Sequence, residues 1–236
     1  MSRLGGCRWV LNHCVQGQAV SSPHRGGPDS PPEDAVNHLE GCWTGEAEHD
    51  YPIIDDLLLG TGYRDVALDL GCGDGRYLIH LARQYQMVIG MDLPQRTLDV
   101  LQTYANVPAN VYRLRADVRH LPLQSGSVTA VLAWGLLCEL AVETIQHSLA
   151  EMARVLKPGG TVVLGICASL HPNINSEDIS PRTGMDSGSS LQDKLPFQNI
   201  IARFQEWGVN CDVTFRSSPS FWTFRGIKVS SSRKGM

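Results

Sequence analysis

A glycine-rich turn after a short apolar run constrains the fold of this chain more than any other feature of its sequence. The run is Val66–Leu70, and glycine then occupies every second position, at Gly71, Gly73 and Gly75. Glycine adopts backbone conformations that other residues avoid, so a turn of this kind lets the backbone approach a ligand closely. The segment YLIHLARQY follows with the spacing of a helix. A strand, a glycine turn and a helix in this order predict a ligand site at the carboxyl end of a sheet.

Strands and helices continue to alternate after the turn, and this alternation predicts the fold class. The predicted strands are apolar on both faces, as in a parallel sheet covered by helices; they are MVIGMD, NVYRLR, VTAVLAW and TVVLGI. Helices are predicted over DYPIIDDLLLG, PQRTLDVLQTYA, Val142–Leu156 (ended by KPGG) and LQDKLPFQNIIARFQEWG. NCDVTF and FWTFRGIKV are predicted as a closing antiparallel pair. We therefore predict an α/β fold: a doubly wound, mostly parallel seven-stranded sheet with an antiparallel C-terminal strand pair and helices on both faces.

The 236 residues divide into two predicted parts. Residues 1–50 are predicted as a partly disordered N-terminal extension, because 21–34 is rich in Pro, Gly and Ser. Residues 51–236 are predicted as one domain, in which the polar stretch 167–190 is either a lid or disordered. The first 28 residues contain arginines but no acidic residue, which is typical of a weak organelle transit peptide or simply of a disordered tail.

Charge and cysteine usage narrow the class of protein. The formal net charge of −4 argues against a large nucleic-acid surface. Seven cysteines are scattered without a C-x-x-C pair, which predicts reduced thiols in an intracellular protein and no metal site. No apolar run approaches the ~18 residues of a membrane span, so no membrane partner is expected. We predict a cytoplasmic location, with a mitochondrial one as the alternative from the acid-free N-terminus.

A second acid supports a nucleoside-type ligand. Asp92 ends the next predicted strand, 21 positions after Gly71, where a carboxylate accepts hydrogen bonds from both hydroxyls of a ribose. Both NAD and adenosyl cofactors contain such a ribose. The dinucleotide pattern requires glycine or alanine at the position of Arg76, which disfavours an NAD enzyme.

Two later segments, RADVRHLPLQSGSVTAVLAWGLL and ARVLKPGGTVVLGI, complete an ordered set of motifs. From Tyr51 to its end, the chain resembles the class I S-adenosylmethionine-dependent methyltransferases, with a Rossmann-like core of the methyltransferase type 11 kind. Their acid-x-G-x-G-x-G signature is matched by Asp69 and the three glycines of the turn. The resemblance implies a transferase that uses S-adenosyl-L-methionine as its cofactor.

The resemblance also implies roles for individual residues. Asp69 would hold the ammonium of the cofactor, and the loop backbone from Gly71 through Cys72 and Gly73 would lie against its methionine part. Asp92 would accept the ribose hydroxyls, and Leu93 would pack on the adenine.

Two further segments would complete this site. Asp117 would accept from the adenine amino group, with the Val118 backbone nearby. Trp134 and Gly135 would face the sulfonium end, where an aromatic ring favours a cation. The alternative for Trp134 is a core aromatic that covers the end of the sheet.

The sequence indicates the methyl acceptor mainly through the motifs that it lacks. The chain lacks the N/D-P-P-Y/F motif of enzymes that methylate base amines, and it lacks the Pro-Cys pair of cytosine C5 enzymes. A small molecule or a protein side chain is the predicted acceptor. An acceptor that must lose a proton requires a base; the candidates are His120, Glu139, His147 and His171, each of which has a purely structural alternative.

Three other functions stay open. Arg113, Arg115 and Arg119 cluster around the third predicted strand, where they could contact phosphates. The segment GCGDGRYL is similar to the loop of methyltransferases that act on tRNA wobble uridines. These two features make RNA the second candidate acceptor. The third possibility is a non-catalytic adaptor with this fold, and the fourth is the NAD enzyme that Arg76 and KPGG disfavour.

Overall fold

The computed structural model describes residues 50–59, 64–93, 107–167, 197–212, 217–218 and 221–229. Three predictions lie outside the described residues: the N-terminal extension before residue 50, the helix over PQRTLDVLQTYA, and the polar stretch after Cys167. No helix in the described part of the chain is long and apolar enough to cross a membrane.

One mixed sheet organises the described residues. Its strands are β1 (Val66–Leu70), β2 (Met87–Asp92), β3 (Val111–Arg115), β4 (Val128–Trp134), β5 (Leu156–Cys167), β6 (Val209–Asp212), β7 (Ser217–Ser218) and β8 (Phe221–Lys228). They lie in the order β3-β2-β1-β4-β5-β8-β6, and the two-residue β7 pairs with β8. Neighbouring strands from β3 to β5 are parallel, and β8 is antiparallel to both β5 and β6. The predicted seven-stranded sheet with its antiparallel C-terminal pair is confirmed, and β7 is an addition to it.

The described helices are α1 (Tyr51–Leu58), α2 (Arg76–Ala82), α3 (Leu136–Glu139), α4 (Val142–Val155) and α5 (Phe197–Glu206). The single-turn α3 is absent from the sequence prediction. The predicted end of α4 at Leu156 is one residue too late, because Ser127 N already donates to the Val155 carbonyl and Val128 pairs with Leu156. Sheet pairing therefore starts before the KPGG turn, and β5 begins earlier than the predicted TVVLGI strand.

Helices cover the sheet on both faces. One hydrophobic cluster includes Leu58 of α1 and Leu78 of α2, and the other includes Leu149 of α4 and Phe204 of α5. Successive residues of β1 point to opposite faces and are all buried. Burial on both sides is the physical reason for the unbroken apolar runs in the sequence. It also leaves the carboxyl edge of the parallel strands as the place where loops meet.

Candidate functional site

The glycine turn connects β1 to α2 at this carboxyl edge. Gly71, Gly73 and Gly75 have φ angles of 69°, 52° and 84°, a left-handed conformation that other residues adopt only with strain. The amides of Gly71 and Cys72 donate to the Met91 carbonyl at 2.8 and 3.1 Å, so the loop is fixed to the end of β2. The predicted strand, turn and helix are therefore observed in this order.

The two sides of this loop differ in what they face. A Cβ at Gly71 would lie 2.9 Å from Cδ1 of Leu136, so α3 closes over the first glycine. A Cβ at Gly73 would meet no atom within 4 Å. The backbone at Gly73 thus faces open space at the carboxyl edge of the sheet, which we call the cleft, and this suits close approach by a ligand.

Asp92 connects the loop to the end of β2. Its Oδ2 accepts a hydrogen bond from Gly73 N at 2.9 Å, and its Oδ1 accepts one from Leu93 N at 2.8 Å. A carboxylate has about four acceptor sites, so two backbone donors leave capacity for hydroxyl groups. The sequence predicted a ribose-binding role for Asp92 but did not predict that it also fixes the glycine loop.

Asp69 is the most unusual group near the loop. It is 1% exposed, and its Oδ2 has no hydrogen-bond partner in the structure. Burial, followed by the negative charges of Asp92 and Asp74, raises the pKa of Asp69 well above its ordinary value. An unpaired buried carboxyl oxygen is costly to a fold. A cationic donor at this position would satisfy the oxygen and lower that cost.

The ends of β2 and β3 form the second side of the cleft. Ala116 N donates to the Asp92 carbonyl at 3.1 Å, and Arg115 Nε donates to the Leu93 carbonyl at 2.9 Å. The Leu93 residue itself is 48% exposed. An exposed leucine beside an acidic strand end offers an apolar surface on which a flat ring packs.

Asp117 follows on this side of the cleft. Arg119 Nε lies 3.0 Å from Asp117 Oδ1 and 2.9 Å from Oδ2, and this hydrogen bonding lowers the pKa of Asp117. The partly buried Val118 packs against the core cluster of α4 and α5. Asp117 therefore stays ionised beside the cleft, and Arg119 is held by Asp117.

Trp134 lies in the core at the end of β4. It is 2% exposed, and a Cβ on Gly165 would lie only 2.4 Å from its ring. The Tyr77 ring packs at a centroid distance of 6.2 Å, and Gly135 N donates to the Gly165 carbonyl at 2.8 Å. This packing supports the alternative of a core aromatic, and a contact of Trp134 with a cofactor stays a prediction.

The structure separates the candidate bases. Exposed His147 donates from Nδ1 to the Glu143 carbonyl of its own helix at 2.7 Å, as expected for a surface residue. His120 is exposed in the turn after Asp117, and His171 lies outside the described residues. Glu139 is exposed at the end of α3, yet the loss of surrounding water, followed by the charge of Asp92, raises its pKa to about 7.

Helix α1 supports the glycine turn from behind, a contact that the sequence did not reveal. Tyr51 Oη donates to the Arg76 carbonyl at 3.0 Å, and Tyr77 Oη donates to Asp50 Oδ2 at 2.9 Å. The Arg76 side chain pairs with Asp74 at 2.8 Å. These contacts fix the start of α2 and with it the glycine turn.

Two remaining observations concern metals and thiols. Within the described ranges, no three or more His, Cys, Asp or Glu side chains are arranged to hold a metal ion. Cys72 and Cys138 do not form disulfides.

Comparison with known proteins gives the class of this domain. Residues 67–160 match a family model described as a methyltransferase domain. The structure superposes on a SAM-dependent methyltransferase from Aquifex aeolicus with a TM-score of 0.61 and 16% identity, covering 83% of this chain and 99% of that chain. Together with the sheet order and the glycine loop, these matches support the class I S-adenosylmethionine-dependent methyltransferase superfamily.

The curated relatives point to more than one substrate. A demethylmenaquinone methyltransferase of Tropheryma whipplei is 33% identical over 115 residues, covering 49% of this chain and 46% of that protein. A tRNA (carboxymethyluridine(34)-5-O)-methyltransferase of Mus musculus is 26% identical over 133 residues, covering 56% of this chain and 19% of that protein. The matches thus span less than half the length of these two relatives.

Proposed function

We propose that this protein transfers a methyl group from S-adenosylmethionine to an O, N or S atom of a small molecule or a protein side chain. The observation that carries the proposal is the buried, unpartnered Oδ2 of Asp69 beside the open backbone of Gly73. An acid in this state suits a ligand with an ammonium group, and a backbone with room for a Cβ suits a ligand that lies flat against it.

The residues present fit each part of this cofactor. Asp69 would accept from the ammonium, and the loop backbone at Cys72 and Gly73 would lie along the methionine chain. The carboxylate of Asp92, already oriented by two backbone amides, would accept the ribose hydroxyls. The exposed Leu93 would cover one face of the adenine.

Asp117 and Val118 would complete the adenine pocket. The ionised Asp117 carboxylate would accept from the exocyclic amine of the adenine, and Val118 would supply backbone contacts. Trp134 would support the pocket from the core, since its ring is nearly inaccessible to solvent.

The chemistry requires little from the protein beyond alignment. S-adenosylmethionine supplies a methyl group that is already electrophilic because it is bonded to a sulfonium. The glycine loop, Asp92 and Asp69 would fix the donor, and the cleft would bring the acceptor into line with it. Such alignment can supply ~7–11 kcal/mol of a reaction barrier.

Similarity to a demethylmenaquinone methyltransferase supports a small-molecule acceptor. RNA is the second candidate because a tRNA methyltransferase is also among the relatives. The arginines give RNA less support, because Arg119 pairs with Asp117 and Arg115 donates to the Leu93 carbonyl. We extend the methyltransferase domain over residues 51–236 and place the protein in the cytoplasm as parts of the same proposal.

The acceptor class is tested by incubating the protein with methyl-labelled S-adenosylmethionine and cell extract divided into small-molecule, protein and RNA fractions. We expect label in the small-molecule or protein fraction, and an Asp92→Ala variant should transfer none. Label that appears in the RNA fraction and is lost after ribonuclease treatment would favour the tRNA-type reaction instead. Cofactor binding without transfer to any fraction would favour the adaptor.

A further inference from the structure

Helix α3 directs one of its faces to the glycine loop. Leu136 Cδ1 and Cβ lie 2.9 and 3.2 Å from the position of a Cβ at Gly71. Residues three apart in a helix share a face, so Glu139 lies on the same side of α3 as Leu136. Leu137 on another face is completely buried. Glu139 is thus exposed on the side of α3 that borders the cleft lined by Asp69 and Asp92.

Carboxylates outnumber cations around this cleft. Asp92 acts on both Glu139 and Asp69, and in each case its negative charge opposes ionisation of the neighbouring acid. Asp74 also acts on Asp69, but Arg76 pairs with Asp74 at 2.8 Å. A positively charged ligand would therefore be stabilised beside Glu139, Asp69 and Asp92, of which Asp92 also accepts from two backbone amides.

The strands packed against α3 add no charge near Glu139. β4 contains no ionisable side chain. The one described charged side chain of β5 is Lys157, which lies at the opposite end of that strand and pairs with Asp65 at 3.0 Å. The pKa of Glu139 is therefore raised first by the loss of surrounding water and second by the charge of Asp92.

A second observation concerns Asp69, one acid of this cluster. Asp69 is 1% exposed, and its buried Oδ2 atom has no hydrogen-bond partner. A cluster of carboxylates with an unsatisfied oxygen favours a positively charged ligand over a neutral one of the same shape.

We propose that Glu139 is a specificity-determining residue that recognises the positive charge of the methyl donor. In the free protein at neutral pH, Glu139 holds a proton in a large fraction of the molecules. A ligand with a sulfonium displaces that proton to the solvent, whereas the thioether product leaves it in place. The ionised carboxylate then attracts the donor more than the product, so product is released more easily. This inference rests on the proposed function.

The proposal gives measurable consequences. With a pKa of about 7, Glu139 is half protonated at pH 7, so binding of S-adenosylmethionine should release roughly 0.5 proton through this residue. The ionised fraction rises from roughly 0.1 at pH 6 to 0.9 at pH 8. The affinity for S-adenosylmethionine should rise up to about tenfold over that range relative to the affinity for S-adenosylhomocysteine.

The test is calorimetric titration of the full chain at pH 7 with S-adenosylmethionine and with S-adenosylhomocysteine, each in phosphate and in Tris. The dependence of the binding enthalpy on the buffer gives the number of protons released. Glu139→Gln keeps the shape of the side chain and cannot ionise, and Glu143→Gln is the matched control on α4. Protons exchanged by Asp69 or by the ligand amino group are exchanged equally in wild type and in Glu139→Gln. The difference between these two proteins therefore measures the proton of Glu139.

We expect wild type and Glu143→Gln to release about half a proton more with S-adenosylmethionine than with S-adenosylhomocysteine. Glu139→Gln should bind S-adenosylmethionine, lose that extra release and bind the two ligands with more similar affinity. Equal release by wild type and Glu139→Gln, or no extra release by wild type, would overturn the inference while leaving the proposed function intact. Failure of wild type to bind either ligand would overturn both.

Discussion

Three glycines with similar backbones allow the ligand role of the loop to be separated from its conformation. Gly73, Gly159 and Gly208 have φ angles of 52°, 78° and 71°, and a Cβ at any of them would meet no atom within 4 Å. Gly73 lies in the proposed cofactor loop. Gly159 lies in the KPGG turn, and Gly208 follows α5. Replacing each by alanine therefore introduces the same kind of strain without a steric clash.

The expected loss of stability follows from the backbone alone. A left-handed conformation costs an alanine about 1–2 kcal/mol relative to an ordinary one. For a domain of this size, each kcal/mol lowers the midpoint of thermal unfolding by about 2–4 °C. All three variants should therefore fold and should melt a few degrees below wild type.

Only Gly73→Ala should lose affinity for S-adenosylmethionine, because its methyl group projects toward the place of the methionine chain. A loss of at least about 1.4 kcal/mol, which is tenfold in the dissociation constant, is expected. Gly159→Ala and Gly208→Ala should bind as wild type does. Thermal unfolding and calorimetric titration of the three variants measure both quantities.

Two results would refute this reasoning. Wild-type affinity in Gly73→Ala would mean that the ligand does not lie against this part of the loop. A much larger stability loss in Gly73→Ala than in the two controls would mean that the loop is not open at this position.

Other residues give independent expectations. Gly165→Ala should lower the free energy of unfolding by about 1–3 kcal/mol or more, measured in denaturant, because its Cβ would overlap the buried Trp134 ring. Thr129→Val should cost about 1–3 kcal/mol in the same assay, because Thr129 Oγ1 bonds both the amide and the carbonyl of Val66, whereas serine should preserve stability. The pKa of Asp69 is higher in the folded than in the unfolded state, so its carboxyl group ionises first in the unfolded protein. The free energy of unfolding of wild type should therefore fall as the pH rises above about 4. Asp69→Asn removes this ionisation, so the variant should be more stable than wild type at pH 8 and its stability should depend less on pH. Thermal unfolding between pH 5 and pH 8 checks this, and a wild-type stability that rises because of Asp69 over that range would contradict it.

Much of the sheet could be predicted because its strands β1, β2 and β4 are buried on both faces. The bounds of β1, β2 and β4 agree with the predicted Val66–Leu70, MVIGMD and VTAVLAW segments. A strand that is covered on both sides is mostly apolar, so its extent is visible in the sequence as an apolar run. The glycine turn was equally visible, because positive φ angles select glycine.

The features that were missed depend on contacts between distant segments. The early start of β5 follows from pairing of Val128 with Leu156, which overrides the turn signal of KPGG. Helix α3 has only four residues, too few for a periodic pattern to appear. Its importance comes from Leu136 lying over Gly71, which sequence spacing does not encode.

The residues of the candidate site were predicted from the sequence, but the hydrogen bonds and ion pairs between them were not. Asp92 stood out as an acid at the end of an apolar strand, and Asp69 stood out through the resemblance of the glycine loop to the methyltransferase signature. The bond from Gly73 N to Asp92, and the pairing of Asp117 with Arg119, follow from three-dimensional geometry alone. Glu139 was one of four candidate bases in the sequence, and its position beside Asp92 emerges from the fold.

The most direct test of a methyl-donor site in this loop is a calorimetric titration of the purified protein with S-adenosylmethionine, beside NAD and an Asp92→Ala variant whose folding is checked by thermal unfolding. We expect saturable one-to-one binding of S-adenosylmethionine, no binding of NAD, and loss of binding in the folded Asp92→Ala protein. Absence of S-adenosylmethionine binding to the wild type, or undiminished binding to Asp92→Ala, would contradict the assignment of this loop as a methyl-donor site.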